Sequence, residues 1–153
     1  DAIERVTGGI GWVDNKDADR WEQLAATLGR PDYIISVTED LGAGPVFQKF
    51  LGDAARDVCT KLANSELDTE PADRVLMKHA SPTDTLLSAP DAVEANLRML
   101  LLRYHGVKAE AGAADLVRWR WLFESVSHVT KLPVEGWRAV CIGLIEHPDF
   151  YSY

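Results

Sequence analysis

Three prolines set most of what this chain can fold into. Pro45, Pro90 and Pro133 each stand just ahead of a stretch whose apolar residues recur every three or four positions. That spacing puts them on one stripe of a helix. Proline suits the first helical turn, where its missing N–H goes unused. After Pro45 the stripe is Phe47, Phe50, Leu51, Ala54, Val58 and Leu62, with Asp53, Arg56, Asp57 and Lys61 opposite. After Pro90 it is Val93, Leu97, Leu100, Leu101 and Tyr104, and Gly106 stops the helix. Met99 and Leu102 are apolar off that stripe, which predicts cover on more than one side. After Pro133 the inward residues are Trp137, Val140, Cys141, Leu144 and Ile145, and Pro148 ends the run. Glu135 falls in that first turn, where the helix dipole favours acid.

Two further helices complete the pattern. One spans about Ala113 to Thr130, with Leu116, Trp119, Leu122, Phe123, Val126 and Val129 as its stripe. The other is capped by Asp17 or Asp19 and runs to Leu28, with Trp21, Leu24, Ala25 and Leu28 on one face and Gly29 and Pro31 as its stop. Tyr33–Val37 is β-like but has no partner of similar quality, which predicts extended chain or one helical turn. Leu41–Gly44 reads as a turn. Residues 65–89 read as a connecting loop, with an acidic patch of Glu66, Asp68, Glu70 and Asp73 around Pro71 and a short helix from Asp73 to His79. Residues 1–16 read as an irregular arm anchored by Trp12, and 17–153 as the helical domain. Phe150, in an aromatic tail, is expected to be buried. The predicted fold is all-α: a single-domain helical bundle or irregular array of about five helices. A length of 153 residues fits one domain.

Several function classes drop out. With 16 basic and 24 acidic residues the net charge is -8, a surface that repels phosphate backbones. Nucleic acid is therefore not expected as a partner. The longest apolar-plus-glycine run, Ala139–Ile145, is far short of the roughly 20 residues a spanning helix needs. Gly8-Gly9-Ile10-Gly11 lacks the Lys-Ser/Thr of a phosphate loop and the third glycine of a dinucleotide fingerprint. Asn15–Asp19 resembles a calcium loop only in its acids, because Arg20 stands where glycine is required and Ala26 where glutamate is. No GxSxG elbow and no CxxCH haem attachment are present.

Cys59 and Cys141 lie far apart in sequence, within apolar helical patterns. They fit either one disulfide or two buried, inert thiols. The chain opens on Asp1 instead of Met, as expected of a processed or truncated chain, and an exported chain would favour the disulfide.

The four histidines show no zinc-ligand spacing. Glu124 and His128 stand one turn apart on a helix, a spacing that reads as a surface carboxylate–imidazole contact. The most unusual cluster is Arg118-Trp119-Arg120-Trp121. At about 100° per residue the two tryptophans point roughly 200° apart and cannot share a face. Trp119 belongs to the core stripe. Trp121 covers a second surface, either because this helix is central and buried on two sides or because Trp121 and Arg118 form a recognition patch.

Three segments carry a resemblance: Gly29-Arg30-Pro31-Asp32-Tyr33, Asn96-Leu97-Arg98 through Leu102-Arg103-Tyr104-His105-Gly106, and Trp137-Arg138-Ala139-Val140-Cys141 through His147-Pro148-Asp149-Phe150-Tyr151. They resemble exported helical proteins of myxobacterial or planctomycete type, some of whose relatives are linked to cytochrome c-like domains. The resemblance implies a helical fold and export to the periplasm or outside the cell. It transfers no active residue and no haem.

The functional expectation is a non-catalytic accessory or protein-interaction domain of an exported or envelope assembly, with no cofactor and no metal ligands assigned. Its protein partner would meet Trp121, Arg118, Tyr151 and Tyr153. The alternative is a metal- or cofactor-binding helical protein or enzyme with a site between helices, for which His105, Glu124 and His128 come first. A carrier of a small apolar ligand is a third reading.

Overall fold

The structure is a computed structural model that describes residues 2–24 and 44–151. Its helices are α1 (Ala2–Thr7), α2 (Arg20–Leu24), α3 (Pro45–Ser65), α4 (Pro90–His105), α5 (Val117–Thr130), α6 (Pro133–Glu146) and α7 (Pro148–Tyr151). Short 3₁₀ turns occupy Pro71–Asp73 and Ala114–Leu116. The described residues contain no strand, only an antiparallel bridge between Val13 and Asp19. Among them, no helix is long and apolar enough to cross a membrane. The fold class is therefore the all-α one read from the sequence.

Helix α6 lies at the centre and packs mainly on α5 and α3. Trp137, Val140, Cys141, Leu144 and Ile145 are buried, as their spacing predicts. Gly136 lets α5 come close. A Cβ at that position would stand 2.7 Å from the Phe123 carbonyl oxygen and 2.8 Å from its ring. The Phe123 and Trp137 rings then meet at 4.3 Å between centroids. On the opposite flank Cys59 of α3 and Cys141 of α6 form a disulfide, with Cα atoms 5.9 Å apart. That resolves the cysteine alternative in favour of the bond. Tyr104 of α4 places its hydroxyl 3.5 Å from the Cys141 sulfur, and since a disulfide sulfur carries no hydrogen the hydroxyl donates. Burial pushes the Tyr104 phenol well above its ordinary pKa.

The sequence misjudges four places. The N-terminal arm is not irregular throughout: residues Ala2–Thr7 form a helix that buries Ile3, Val6 and Thr7. With only Ala2, Ile3 and Val6 apolar it is too short for a readable stripe, and a helix of this length depends on tertiary support. That support comes from packing on α3 and from α4, where Arg103 donates from Nε to the Val6 carbonyl at 2.5 Å. Gly8 and Gly9, both at positive φ, end the helix. Trp12 is buried as expected, edge-on to Trp21 at 5.1 Å. Asp19, not Asp17, caps α2, its carboxylate accepting the Trp21 N–H at 2.7 Å.

The second correction is in the loop after α3. No helix forms over 73–79; the 3₁₀ turn gives way to irregular chain that sinks Leu76 and Met77 into the core. Glu66 is not part of a surface patch but is 3% exposed. Its Oε1 accepts the N–H groups of Val75 and Leu76, both at 2.6 Å, and its Oε2 accepts that of Met77 at 2.8 Å. Asn96 of α4, fully buried, accepts the His79 N–H at 2.9 Å and donates to the Leu76 carbonyl at 2.8 Å. Two side chains thus do what a helical ladder would have done for this backbone.

The last two corrections concern helix faces. Met99 packs on the core as expected but Leu102 is exposed, so α4 gains cover off its stripe on the Met99 side alone, and the α5 stripe fails at Val129, which is exposed in the last turn. Phe150 is buried, as expected. The face formed by Ala25 and Leu28, the Gly29–Pro31 stop, Tyr33–Val37 and the turn before Gly44 lie outside the described residues.

Two outcomes test this core. Glu66→Gln turns an amide donor toward a backbone N–H and should cost about 1–3 kcal/mol in urea unfolding, with faster amide exchange at Val75–Met77. Removing the disulfide, by reduction or by paired Cys59→Ala and Cys141→Ala, should cost about 2–5 kcal/mol for a bridge of this loop length. An unchanged urea midpoint after reduction would contradict the bridge.

Candidate functional site

The solvent-facing side of α5 begins one residue after the buried Leu116. Because the helix turns about 100° per residue, Trp119 and Phe123 go to the core while Val117 and Trp121 go out. Trp121 is 68% exposed and Val117, one turn before it, 63%. Trp121 therefore covers no second helix among the described residues, and the reading of α5 as buried on two sides is corrected. The two arginines of the cluster differ. Arg120 is engaged with Glu94 at 3.2 Å, and Glu94 also holds the Gly112 N–H. Arg118 is exposed and lies over the Trp119 ring, 5.3 Å from its centroid.

Trp121 separates two shallow hollows. One is lined by Ala114, Asp115, Val117 and Arg118, and the other by Leu86, Val117, Arg120 and Glu124. The second shares Leu86 and Glu124 with a larger groove of about 650 Å³ between α5 and the 82–87 loop. Leu87 and Leu132, at 96% and 54% exposure, stand on that groove's rim. The result is one apolar trough along α5. Glu124 stands where the hollow and the groove meet and His128 lies further along the groove, both exposed.

The other expected contact residues go elsewhere. Tyr151 is half-buried, its ring 5.5 Å from Phe47 and its hydroxyl accepting from Gln48 Nε2 at 2.6 Å. It ties the C-terminal turn to α3 and lines none of the hollows beside Trp121. Tyr153 lies outside the described residues.

A separate cluster forms where α4 ends against the end of α6. His105 stands 5.0 Å from His147 between ring centroids, and Trp119 lies edge-on to both at 5.8 and 5.9 Å. His105 Nε2 is 2.9 Å from the Leu144 carbonyl. Burial is the main cause that pushes the His105 pKa below its ordinary value, so the ring is neutral near pH 7. Asp149 completes the group: one donor atom from each of His105, His147 and Asp149 falls within 4.8 Å of the others. Among the described residues no other trio of His, Cys, Asp or Glu does this. The sequence named His105 but paired it with Glu124 and His128. His147 is far along the chain, and only packing of α4 on α6 brings it near, so spacing offers no signal for it.

No family model, no curated protein and no solved structure matches the chain.

The five tryptophans offer a direct check on this geometry. Trp12, Trp119 and Trp137 are buried and Trp21 is half-buried. Iodide should therefore quench a minor, red-shifted part of the emission, and Trp121→Phe should remove most of that part. Equal quenching in the variant would return Trp121 to the core.

Proposed function

We propose that the chain is a non-catalytic helical interaction domain of an exported or envelope assembly, meeting a protein partner along α5. The observation that carries this reading is Trp121, 68% exposed between Val117 and Leu86. A large aromatic left in water on a rigid helix, with apolar neighbours and an arginine at hand, has the composition of an interface hot spot. The acidic surface suits a protein partner better than a nucleic acid or an anionic membrane. Export is supported by the disulfide, which persists in oxidising compartments, and by the resemblance of its turn phrases to exported helical proteins.

The groove of about 650 Å³ beside the trough supports a second reading, a carrier of a small apolar ligand. It is the weaker of the two, because the exposed apolar residues continue well beyond the groove.

Native mass spectrometry of protein isolated from its source without reductant is the first test. The expected result is a partner-bound or self-associated chain with the disulfide closed. Trp121→Ala should then weaken association at least tenfold while shifting unfolding by less than about 0.5 kcal/mol, as for a surface side chain. A solitary chain whose Trp121→Ala variant loses stability would overturn the proposal.

A further inference from the structure

We propose that His105, His147 and Asp149 form a binding site for a divalent transition-metal ion of the Zn²⁺ type. The argument begins with protons. The Leu144 carbonyl can only accept, so at 2.9 Å it fixes the hydrogen of His105 on Nε2. Nδ1 is then a bare lone pair. It is buried and has no hydrogen-bond partner. A buried acceptor without a donor is costly, and in a native structure it calls for a missing group. A cation is such a group. An imidazole whose second nitrogen donates to a backbone carbonyl is also the usual posture of a metal ligand, because the carbonyl fixes both tautomer and ring orientation.

The neighbours have matching chemistry. His147 Nδ1 accepts the Asp149 N–H at 3.2 Å, so the neutral ring carries its hydrogen on Nε2, and an ion bound at Nδ1 would take over the lone pair from that long hydrogen bond. The Asp149 carboxylate lies 3.4 Å from the same nitrogen and brings negative charge. Two imidazoles and one carboxylate make a donor set for Zn²⁺ and its neighbours, not for Mg²⁺ or Ca²⁺, which take oxygen. Ligands at about 2.0–2.1 Å around a tetrahedral Zn²⁺ sit roughly 3.3 Å apart. The present spread of 4.8 Å must therefore contract on binding. Asp149 can supply the movement, since its side chain is about half exposed and stands on the four-residue helix α7. Trp119 walls the site, and the fourth position is left for water or an outside ligand.

The test uses the metal-free chain titrated with Zn²⁺, followed by calorimetry and by NMR of the histidine ring nitrogens. One Zn²⁺ per chain is expected, with the His105 and His147 ring signals shifting and no response to Mg²⁺. Asp149→Asn, at an exposed position, should weaken binding by about tenfold or more, and His147→Gln should abolish it. A variant carrying Glu124→Gln and His128→Gln removes the competing pair on α5 and should bind as the parent does. No Zn²⁺ uptake would overturn the proposal, as would uptake unaffected by Asp149→Asn and His147→Gln. Loss of binding in the Glu124/His128 variant would move the site to α5 and overturn it equally. None of these outcomes depends on the partner proposed for Trp121.

Discussion

A helix with apolar residues on several sides must be covered on several sides, and α6 is such a helix. The rest of the domain is arranged around that demand. Helix α5 lies against it across Gly136, α3 is bonded to it through Cys59, and α4 closes over it with Tyr104. The cover is tight enough that missing atoms matter: a methyl group at Gly136 would strike backbone, which a side-chain rotation cannot relieve. With α6 fixed this way, the positions of His147 and α7 follow, and with them the histidine pair. The outward face of α5 follows too, because its inward face is already committed to α6.

The long connection between α3 and α4 is held by different physics. It has no regular backbone pairing, yet it places Leu76 and Met77 in the core. Burial of that kind is tolerable only when the chain's N–H and carbonyl groups find partners. Glu66, the residue capping α3, and Asn96 of α4 supply them from the two ends of the connection. The groove wall further on is held locally instead, by the Ser81 N–H on Asp84 and by reciprocal Thr85–Ser88 hydrogen bonds that carry Leu86 and Leu87 between them.

The sequence conveys periodicity well and pairing poorly. Pro45, Pro90 and Pro133 mark the starts of three helices to the residue, and Gly106 marks a stop, because these residues act on their own backbone. The stripe after Pro133 names the buried face of α6 without error. Glu66 looks like one acid among several, because nothing local reveals that three amides ten residues on will turn toward it. His147 looks like part of a turn for the same reason. Helix α1 is too short to carry a period, and its support comes from packing on α3 and from Arg103, both far along the chain. Trp121 is an intermediate case: the sequence shows that it cannot share Trp119's face, but only packing shows that nothing in the described residues covers it.

The disulfide also decides what happens to the molecule when its chain is cut. Cys59 and Cys141 enclose 82 positions of sequence separation. That ring contains the buried-glutamate loop, all of α4 and α5, and the Trp121 trough. A protease that severs any peptide bond inside the ring leaves a single covalent molecule whose two pieces stay docked around α6. The 82–87 loop, with Thr83 and Leu87 exposed, can thus be nicked without release of either half, so one cut opens the chain without separating it.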